Sequence, residues 1–311
     1  MTDNGTAAGV ANERRPAKEG EWPGFNAGMR GQKGSEYEGG HRVPFFVRWP
    51  AGGLGEARDI PTLAAHIDVL PTLAELAGVN VPAGLDIDGK SLAPLLRGEG
   101  EWPDRTLAVH SQRIDIPERW RKAAVMTQQW RLINGEELYD VQADPGQERD
   151  VAGDHPEVKE QLRQVYGAWW DHIDDRFEDY VRIPIGEKEN PARITAHDWH
   201  PEDGSDGSVP WNQPAIQRNP VTNGYWMIDV AEAGNYEIEL FQWDQPANKT
   251  LDAVKARAVI GDVAVEADVP AGATSVKLQM DLPKGPAKMQ TWLREANGTE
   301  RGAFFVYAKK L

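Results

Sequence analysis

Residues 31–50, GQKGSEYEGGHRVPFFVRWP, combine a glycine-rich segment with an apolar run. The four glycines (31, 34, 39 and 40) predict a loop whose backbone can take positive φ and approach a ligand closely. Lys33 lies between the first two of them. The mostly apolar run Val43–Trp49 that follows predicts a strand covered on both faces of an α/β sheet. Together they predict an anion site on a loop that precedes a buried strand.

These residues also carry a family resemblance. Lys33-Gly-Ser-Glu-Tyr-Glu-Gly-Gly-His-Arg-Val-Pro, followed by Arg48-Trp-Pro, resembles the K-G-x-x-x-E-G-G-x-R-V-P signature of the type I sulfatases. These are formylglycine-dependent enzymes of the alkaline-phosphatase-like superfamily. In that family the lysine contacts the sulfate group, so the resemblance implies this catalytic role for Lys33. The alternative is a solvated lysine on a glycine-rich loop.

The stretch Thr2-Asp3-Asn4-Gly5-Thr6 is, by itself, a turn sequence. Sulfatases carry T/S-D-N-G about thirty residues before the K-G motif, and Asp3 lies 30 positions before Lys33. In the family this Asp and Asn bind the active-site calcium. The resemblance therefore implies that Asp3 and Asn4 are metal ligands and that Ca²⁺ is the cofactor, completed by ligands from upstream residues, since calcium prefers oxygen donors.

The family's nucleophile is missing from these residues. It is a cysteine, or rarely a serine, in C/S-x-P/A-x-R that is oxidised to formylglycine. The chain has no cysteine, and Ser91-Leu-Ala-Pro-Leu lacks the arginine. The resemblance thus implies the C-terminal portion of an arylsulfatase-type sulfuric ester hydrolase, predicted to be inactive alone. One part of a split sulfatase with a separate catalytic half, or a non-catalytic glycan-binding protein, are the alternatives.

Composition narrows the classes of partner. With 311 residues, 40% hydrophobic and 27% charged, the sequence is typical of a globular protein with room for two domains. The net charge of −15 disfavours nucleic acid as a partner. No apolar run approaches the length of a membrane span, and no export signal is visible. Periplasmic or extracellular residence is implied by the resemblance alone.

The predicted fold combines an α/β part with an all-β part. Residues 1–178 are expected to be the C-terminal part of a sulfatase catalytic domain, with a partial alkaline-phosphatase-like core, a small antiparallel sheet and a helix. Residues 179–223 are rich in Pro, Gly, Asn and Asp and predict a linker. Seven short alternating segments predict a β-sandwich over 224–311, with a possible start near 192.

Two further groups of residues are candidates for contact with a sulfated small molecule or glycan. His110, Gln112 and Arg113 end a predicted strand in a segment that reaches the substrate pocket in sulfatases; surface ion pairing is the alternative. Trp199 and Trp211 are flanked by Asp, Asn and Gln, a combination that suits sugar binding because an aromatic ring stacks on a sugar face while amides bind hydroxyls. The alternative is a buried tryptophan among turn residues.

Overall fold

A computed structural model describes residues 1–7, 24–99, 102–112, 114–202 and 209–311. The chain divides into two compact units. The first consists of Met1–Gln112 and Glu118–Asp174, and the second of Arg113–Pro117 and Asp175–Leu311. Among the described helices, none has the length and apolarity needed to cross a membrane.

The described residues of the first unit form a small antiparallel sheet and four α-helices. The strands are β1 (Leu107–His110), β2 (Ala123–Met126), β3 (Trp130–Ile133) and β4 (Glu137–Asp140), paired in that order. The helices are α1 (Glu38–His41), α2 (Val69–Ala77), α3 (Ala93–Arg97) and α4 (Pro156–Ile173). Helix α4 buries Leu162, Tyr166 and Trp170 and packs on β2. The predicted small sheet with a helix is confirmed.

The predicted strand Val43–Trp49 is wrong as a regular strand. Residues 43–48 have no strand pairing, and Trp49 makes only an isolated bridge to Leu54. Phe46 is 84% exposed and Trp49 42%. An apolar run forms a buried strand only where neighbouring strands bond its backbone and cover its faces, and no described residues do so here. We call residues 43–49 the apolar segment.

Helix α2 shows a similar difference between pattern and burial. The apolar spacing predicts the helix, and Gly78, in the left-handed conformation at φ 65°, ends it as predicted. However, Leu70 and Leu73 are each 59% exposed, while Thr72 is buried. The periodicity therefore predicted the helix but not the side of it that the described residues cover.

The second unit is built from two sheets. The larger has the order β11-β10-β13-β8-β5, with β14 paired to β13 and β7 to β8; the smaller has the order β12-β9-β15-β6. Inward residues of both sheets form one hydrophobic core, whose largest side chains include Trp226, Tyr236 and Phe304. The elements are β5 (Ile183–Ile185), β6 (Ala192–Thr195), β7 (His200–Pro201), α5 (Gln213–Gln217), β8 (Gly224–Val230), β9 (Gly234–Phe241), β10 (Lys255–Ile260), β11 (Val263–Asp268), β12 (Val276–Leu282), β13 (Gly285–Arg294), β14 (Glu300–Arg301) and β15 (Phe305–Lys310).

Buried and outward-facing residues alternate along these strands as the sequence predicts. The predicted linker 179–223, however, contains strands. In β9, Ile238 and Leu240 are buried and the intervening Glu239 faces outward, as the pattern predicts. Strands β5, β6 and β7 lie within the predicted linker 179–223. Strands β5 and β7 belong to the larger sheet, and β6 belongs to the smaller. They were missed because they are short, and because Pro184 interrupts β5, which tolerates proline as an edge strand.

Candidate anion site

The turn that carries Asp3 and Asn4 lies beside the loop that carries Lys33. The Gly5 amide donates a hydrogen bond to the Gly40 carbonyl at 2.9 Å, and the Lys33 amide donates one to the Thr6 carbonyl at 3.0 Å. Both bonds join backbone to backbone. Two motifs that are 30 positions apart in sequence are therefore adjacent in the first unit.

The glycines of the loop serve two different purposes. Gly31 and Gly34 have φ values of 82° and 83°, the conformation predicted for them. Gly39 and Gly40 lie in α1, where their role is close approach: a Cβ on Gly39 would lie 2.3 Å from the Gly31 carbonyl oxygen. A Cβ on Gly5 would lie 1.9 Å from the Gly39 oxygen. The turn and the loop thus pack too closely for any side chain between them.

Lys33 offers an unneutralised positive charge at this place. Its side chain is exposed, and no described carboxylate forms an ion pair with it. Asp3 is also exposed, and Asn4 is half-buried. A lysine ammonium without a carboxylate partner can bind an anionic group as a compact point charge.

A buried ion pair ties the loop to the small sheet. Glu38, 1% exposed, accepts a hydrogen bond from Arg131 Nε of β3 at 2.6 Å. The Glu38 amide donates to Gln147 Oε1 at 2.8 Å. Burial alone raises the pKa of Glu38, but the His41 imidazole and the Arg131 guanidinium outweigh it and lower that pKa to about 2. Glu38 is therefore a carboxylate at neutral pH and holds α1 against β3.

An aromatic and polar cluster ties Arg30 and Tyr37, on either side of Lys33, to β4. The Arg30 guanidinium lies 3.9 Å from the centroid of the Tyr37 ring and donates to the Tyr139 hydroxyl at 2.8 Å. Both tyrosines donate to Glu137 Oε2, at 2.8 Å and 2.6 Å. Burial, reinforced by the bond to Glu137, raises the pKa of Tyr37 to about 12, so this hydroxyl remains a donor. The cluster fixes the base of the Lys33 loop.

His66 and Asp68 lie directly before α2. His66 Nε2 lies 2.9 Å from the Thr2 carbonyl oxygen, so the imidazole steadies the Asp3 turn. The Asp68 carboxylate is fully buried and accepts hydrogen bonds from the Lys90 amide and from Arg105 Nη1, each at 2.9 Å. Asp68 therefore joins three segments of the first unit.

The predicted substrate contacts near β1 make other interactions. His110 Nε2 lies 2.8 Å from the Tyr166 hydroxyl, and burial lowers the pKa of His110. The Gln112 side chain bonds both the backbone amide and the carbonyl of Glu118 at 2.7 Å. Arg113 lies outside the described residues. His110 packs against α4 and Gln112 closes a loop, so substrate contact by these residues stays a prediction.

The two candidate tryptophans of the second unit differ in exposure. Trp199 is 5% exposed, with its ring 5.6 Å from Trp226 and 5.8 Å from Phe304. Its predicted sugar contact is wrong, because a core side chain has no free face for a sugar. Trp211 is 57% exposed, and its predicted sugar contact is untested.

Asp3 and Asn4 carry the type of oxygen ligand that calcium binds, but they supply too few ligands. Carboxylate and amide oxygens are calcium donors, and the ion takes six to eight ligands. In the part of the chain that the structure describes, no group of three or more His, Cys, Asp or Glu residues could hold a metal. The pair alone therefore does not make a calcium site, and no chemical step is derived through one.

Comparison with known families places the first unit. Residues 31–168 match the family described as N-sulphoglucosamine sulphohydrolase, C-terminal. This region spans the Lys33 loop, the small sheet and most of α4. This region is therefore similar to the C-terminal portion of sulfatases.

Individual relatives agree with this assignment. Mouse (Mus musculus) steryl-sulfatase is 42% identical over 87 residues, which cover 28% of this chain and 14% of that protein. Human arylsulfatase A is 32% identical over 173 residues, which cover 44% of this chain and 32% of that protein. The chain thus spans about a third or less of the length of these relatives.

A search of solved structures also returned a carbohydrate-binding module (CBM6) from Cellvibrio mixtus lichenase 5A. It has a TM-score of 0.23 and 12% identity and covers 40% of this chain and 99% of the module. At that TM-score the likeness carries no argument about the fold.

Proposed function

We propose that this chain is part of an arylsulfatase-type sulfuric ester hydrolase, in which Lys33 contacts the sulfate group of the substrate. The observation that carries the proposal is the adjacency of the Asp3 turn and the Lys33 loop. The Gly5–Gly40 and Lys33–Thr6 bonds support it. A cation preorganised on a backbone-locked loop stabilises negative charge on a sulfate without reorganising during the reaction.

Asp3 and Asn4 are proposed to give two ligands to calcium. When bound, this ion would neutralise charge on the sulfate oxygens. The remaining ligands, the formylglycine nucleophile and the rest of an alkaline-phosphatase-like core would come from residues beyond these 311. Lys33 itself binds and orients the sulfate group, and the Glu38–Arg131 pair keeps its loop in place.

Two measurements test this proposal. With an aryl sulfate and calcium, the chain alone should show no turnover above background. Turnover would show that these 311 residues do contain a nucleophile. Equilibrium dialysis with an aryl sulfate should show binding that weakens about fivefold in Lys33→Ala, the scale of one exposed ion pair. The matched control is Lys277→Ala, an exposed lysine paired with Glu237 at 2.9 Å, which should bind as the unaltered chain does. Equal binding by all three proteins would reject the role of Lys33.

Assembly with a separate catalytic half is a second candidate, and the apolar segment favours it. Among the described residues, 43–48 have no strand partner, and Phe46 is exposed to solvent. Unpaired extended backbone with apolar side chains can receive strands from another polypeptide. The DNA upstream of Met1 tests this candidate: an adjacent gene whose product co-purifies with this chain and restores turnover supports it. A continuous reading frame through the nucleophile motif rejects it.

The second unit is proposed to be a β-sandwich accessory domain. Two sheets that share one hydrophobic core support this assignment. Glycan binding by this unit is the remaining alternative function. Residence in the periplasm or outside the cell is proposed from the sulfatase relationship.

A further inference from the structure

A strip of polar and aromatic side chains follows the outward side of β13. In this strand Met289, Thr291 and Leu293 are buried in the core. The alternate residues Lys288, Gln290 and Trp292 therefore point away from it. Tyr225 of β8 lies opposite Gln290, and Arg257 of β10 lies opposite Trp292. We call these five residues, Tyr225, Arg257, Lys288, Gln290 and Trp292, the β13 strip.

Each end of the strip pairs a cation with an aromatic ring. Lys288 Nζ lies 3.7 Å from the centroid of Tyr225, and Arg257 Cζ lies 5.1 Å from that of Trp292. Both distances are within the range of cation–π attraction. Lys288 and Trp292, the residue opposite Arg257, are four residues apart along β13, about 14 Å at about 3.4 Å per residue.

The two cations of the strip differ from their neighbours in forming no direct ion pair. Within the described ranges, neither Lys288 nor Arg257 has one. Arg257 lies opposite Glu266 of β11, but that carboxylate is paired with Lys255. By contrast, Lys255 on the same sheet pairs with Glu266 at 3.0 Å. Lys277 on the smaller sheet pairs with Glu237 at 2.9 Å. The charges of the strip are held in position by rings while remaining available to an anion.

Hydrogen-bonding groups lie between and beside the two cations. Gln290, 8% exposed, donates through Nε2 to Glu202 Oε1 at 2.5 Å. The His200 ring stacks on Tyr225, with centroids 5.3 Å apart and planes at 19°. His200 Nδ1 lies 2.6 Å from Asp115 Oδ1. With Nδ1 donating to that carboxylate, Nε2 is the ring nitrogen left for a ligand at the end of the strip.

We propose that the β13 strip binds a short sulfated oligosaccharide. Lys288 and Arg257 bind sulfate groups at two places along the sugar chain, and the rings beneath them hold the two cations in position. His200 Nε2 forms a hydrogen bond with a sugar hydroxyl. The Glu202 carboxylate beside the strip and the net charge of −15 favour a short ligand over a long polyanion. This site lies in the second unit and does not depend on the role proposed for Lys33.

The test is calorimetric titration of the full chain with a κ-carrageenan hexasaccharide, whose only anionic groups are sulfates. The Lys288→Ala variant should bind threefold to fivefold more weakly, and Lys288→Ala with Arg257→Ala about tenfold, on the scale of exposed ion pairs. Lys288→Arg should retain most of the affinity. The matched control Lys277→Ala should bind as the unaltered chain does. Added salt should weaken binding by the unaltered chain more than binding by the double variant.

Three results would overturn the proposal. The first is no binding of the hexasaccharide by the unaltered chain. The second is equal binding of the chemically desulfated hexasaccharide. The third is unchanged affinity in the double variant, which with a loss in Lys33→Ala would assign binding to the loop of the first unit. Aryl sulfate turnover is a separate readout, so failure of the sulfatase proposal remains distinguishable.

Discussion

The Glu38–Arg131 pair gives a prediction that can be worked out from the structure. In Glu38→Gln the Arg131 guanidinium, 6% exposed, keeps its charge but loses the carboxylate 2.6 Å away. Removing one partner of a buried ion pair leaves a buried charge uncompensated, which typically destabilises by about 3 kcal/mol or more. The first unit should therefore lose about 3 kcal/mol of unfolding free energy at neutral pH.

The pH dependence of the same pair gives a second estimate of this magnitude. The pKa of Glu38 falls from 4.5 to about 2 in the folded state. A depressed carboxyl pKa stabilises the folded state above pH 4.5, and this contribution is lost as the pH falls from 4.5 towards 2. At about 1.36 kcal/mol per pKa unit, the contribution is about 3 kcal/mol. The unaltered first unit should lose this much across that range, and Glu38→Gln should not.

Hydrogen exchange in urea, read by mass spectrometry, separates the two units. Peptides from residues 123–140 report the small sheet, and peptides from 276–294 provide an internal reference. Glu136→Gln is the matched control, because Glu136 also pairs with two cations, Lys159 at 2.8 Å and Arg163 at 3.3 Å, but at the surface. Unfolding of both variants at the same urea concentration, or a loss of stability in acid that persists in Glu38→Gln, would contradict this role of Glu38.

Three other predictions test the packing of the first unit. Gly39→Ala places a methyl group 2.3 Å from the Gly31 carbonyl oxygen and should cost about 2 kcal/mol in urea unfolding; an unchanged midpoint would contradict this contact. Phe46→Asp, at an 84% exposed position, should raise the soluble yield without lowering the thermal midpoint, whereas Phe304→Asp in the core should abolish folding; a lower midpoint for Phe46→Asp would show that this ring is packed. Because burial lowers the pKa of His110 below 6.5, the first unit should lose stability as pH falls below 6.5, and His110→Gln should lose less over the same range; thermal melts above and below pH 6.5 check this, and equal losses would contradict it.

The contacts around Lys33 show which parts of the candidate site are readable from sequence. The family resemblance implied that Lys33, Asp3 and Asn4 lie in one site, whereas the local residue types predicted only the turn and the loop that carry them. The groups that hold the loop were not predicted. Glu38 and Arg131 are 93 positions apart, and nothing in the local pattern of either segment identifies its partner. Only the position of Glu38 between an aromatic residue and two glycines could have drawn attention to it.

Burial was predicted well only where both covering layers are described. In β8 and β13, alternation predicted the buried Trp226 and Met289, because the second sheet covers that face. In the apolar segment the same kind of signal predicted a covered strand, yet Phe46 is exposed. Hydrophobicity states that a residue prefers to be covered, but it does not supply the covering layer. Trp199 shows the reverse, since its polar neighbours concealed a core position.

The assignment of Arg113–Pro117 to the second unit limits how the protein can be divided for experiments. The Asp115 carboxylate lies 2.6 Å from His200 Nδ1. About sixty residues separate Asp115 from Asp175, where the second unit resumes, and most of them belong to the first unit. A fragment that starts at Asp175 would therefore present His200 without its partner, at the end of the β13 strip. Weak ligand binding by such a fragment would result from the loss of Asp115. Binding studies therefore require a chain that retains residues 113–117.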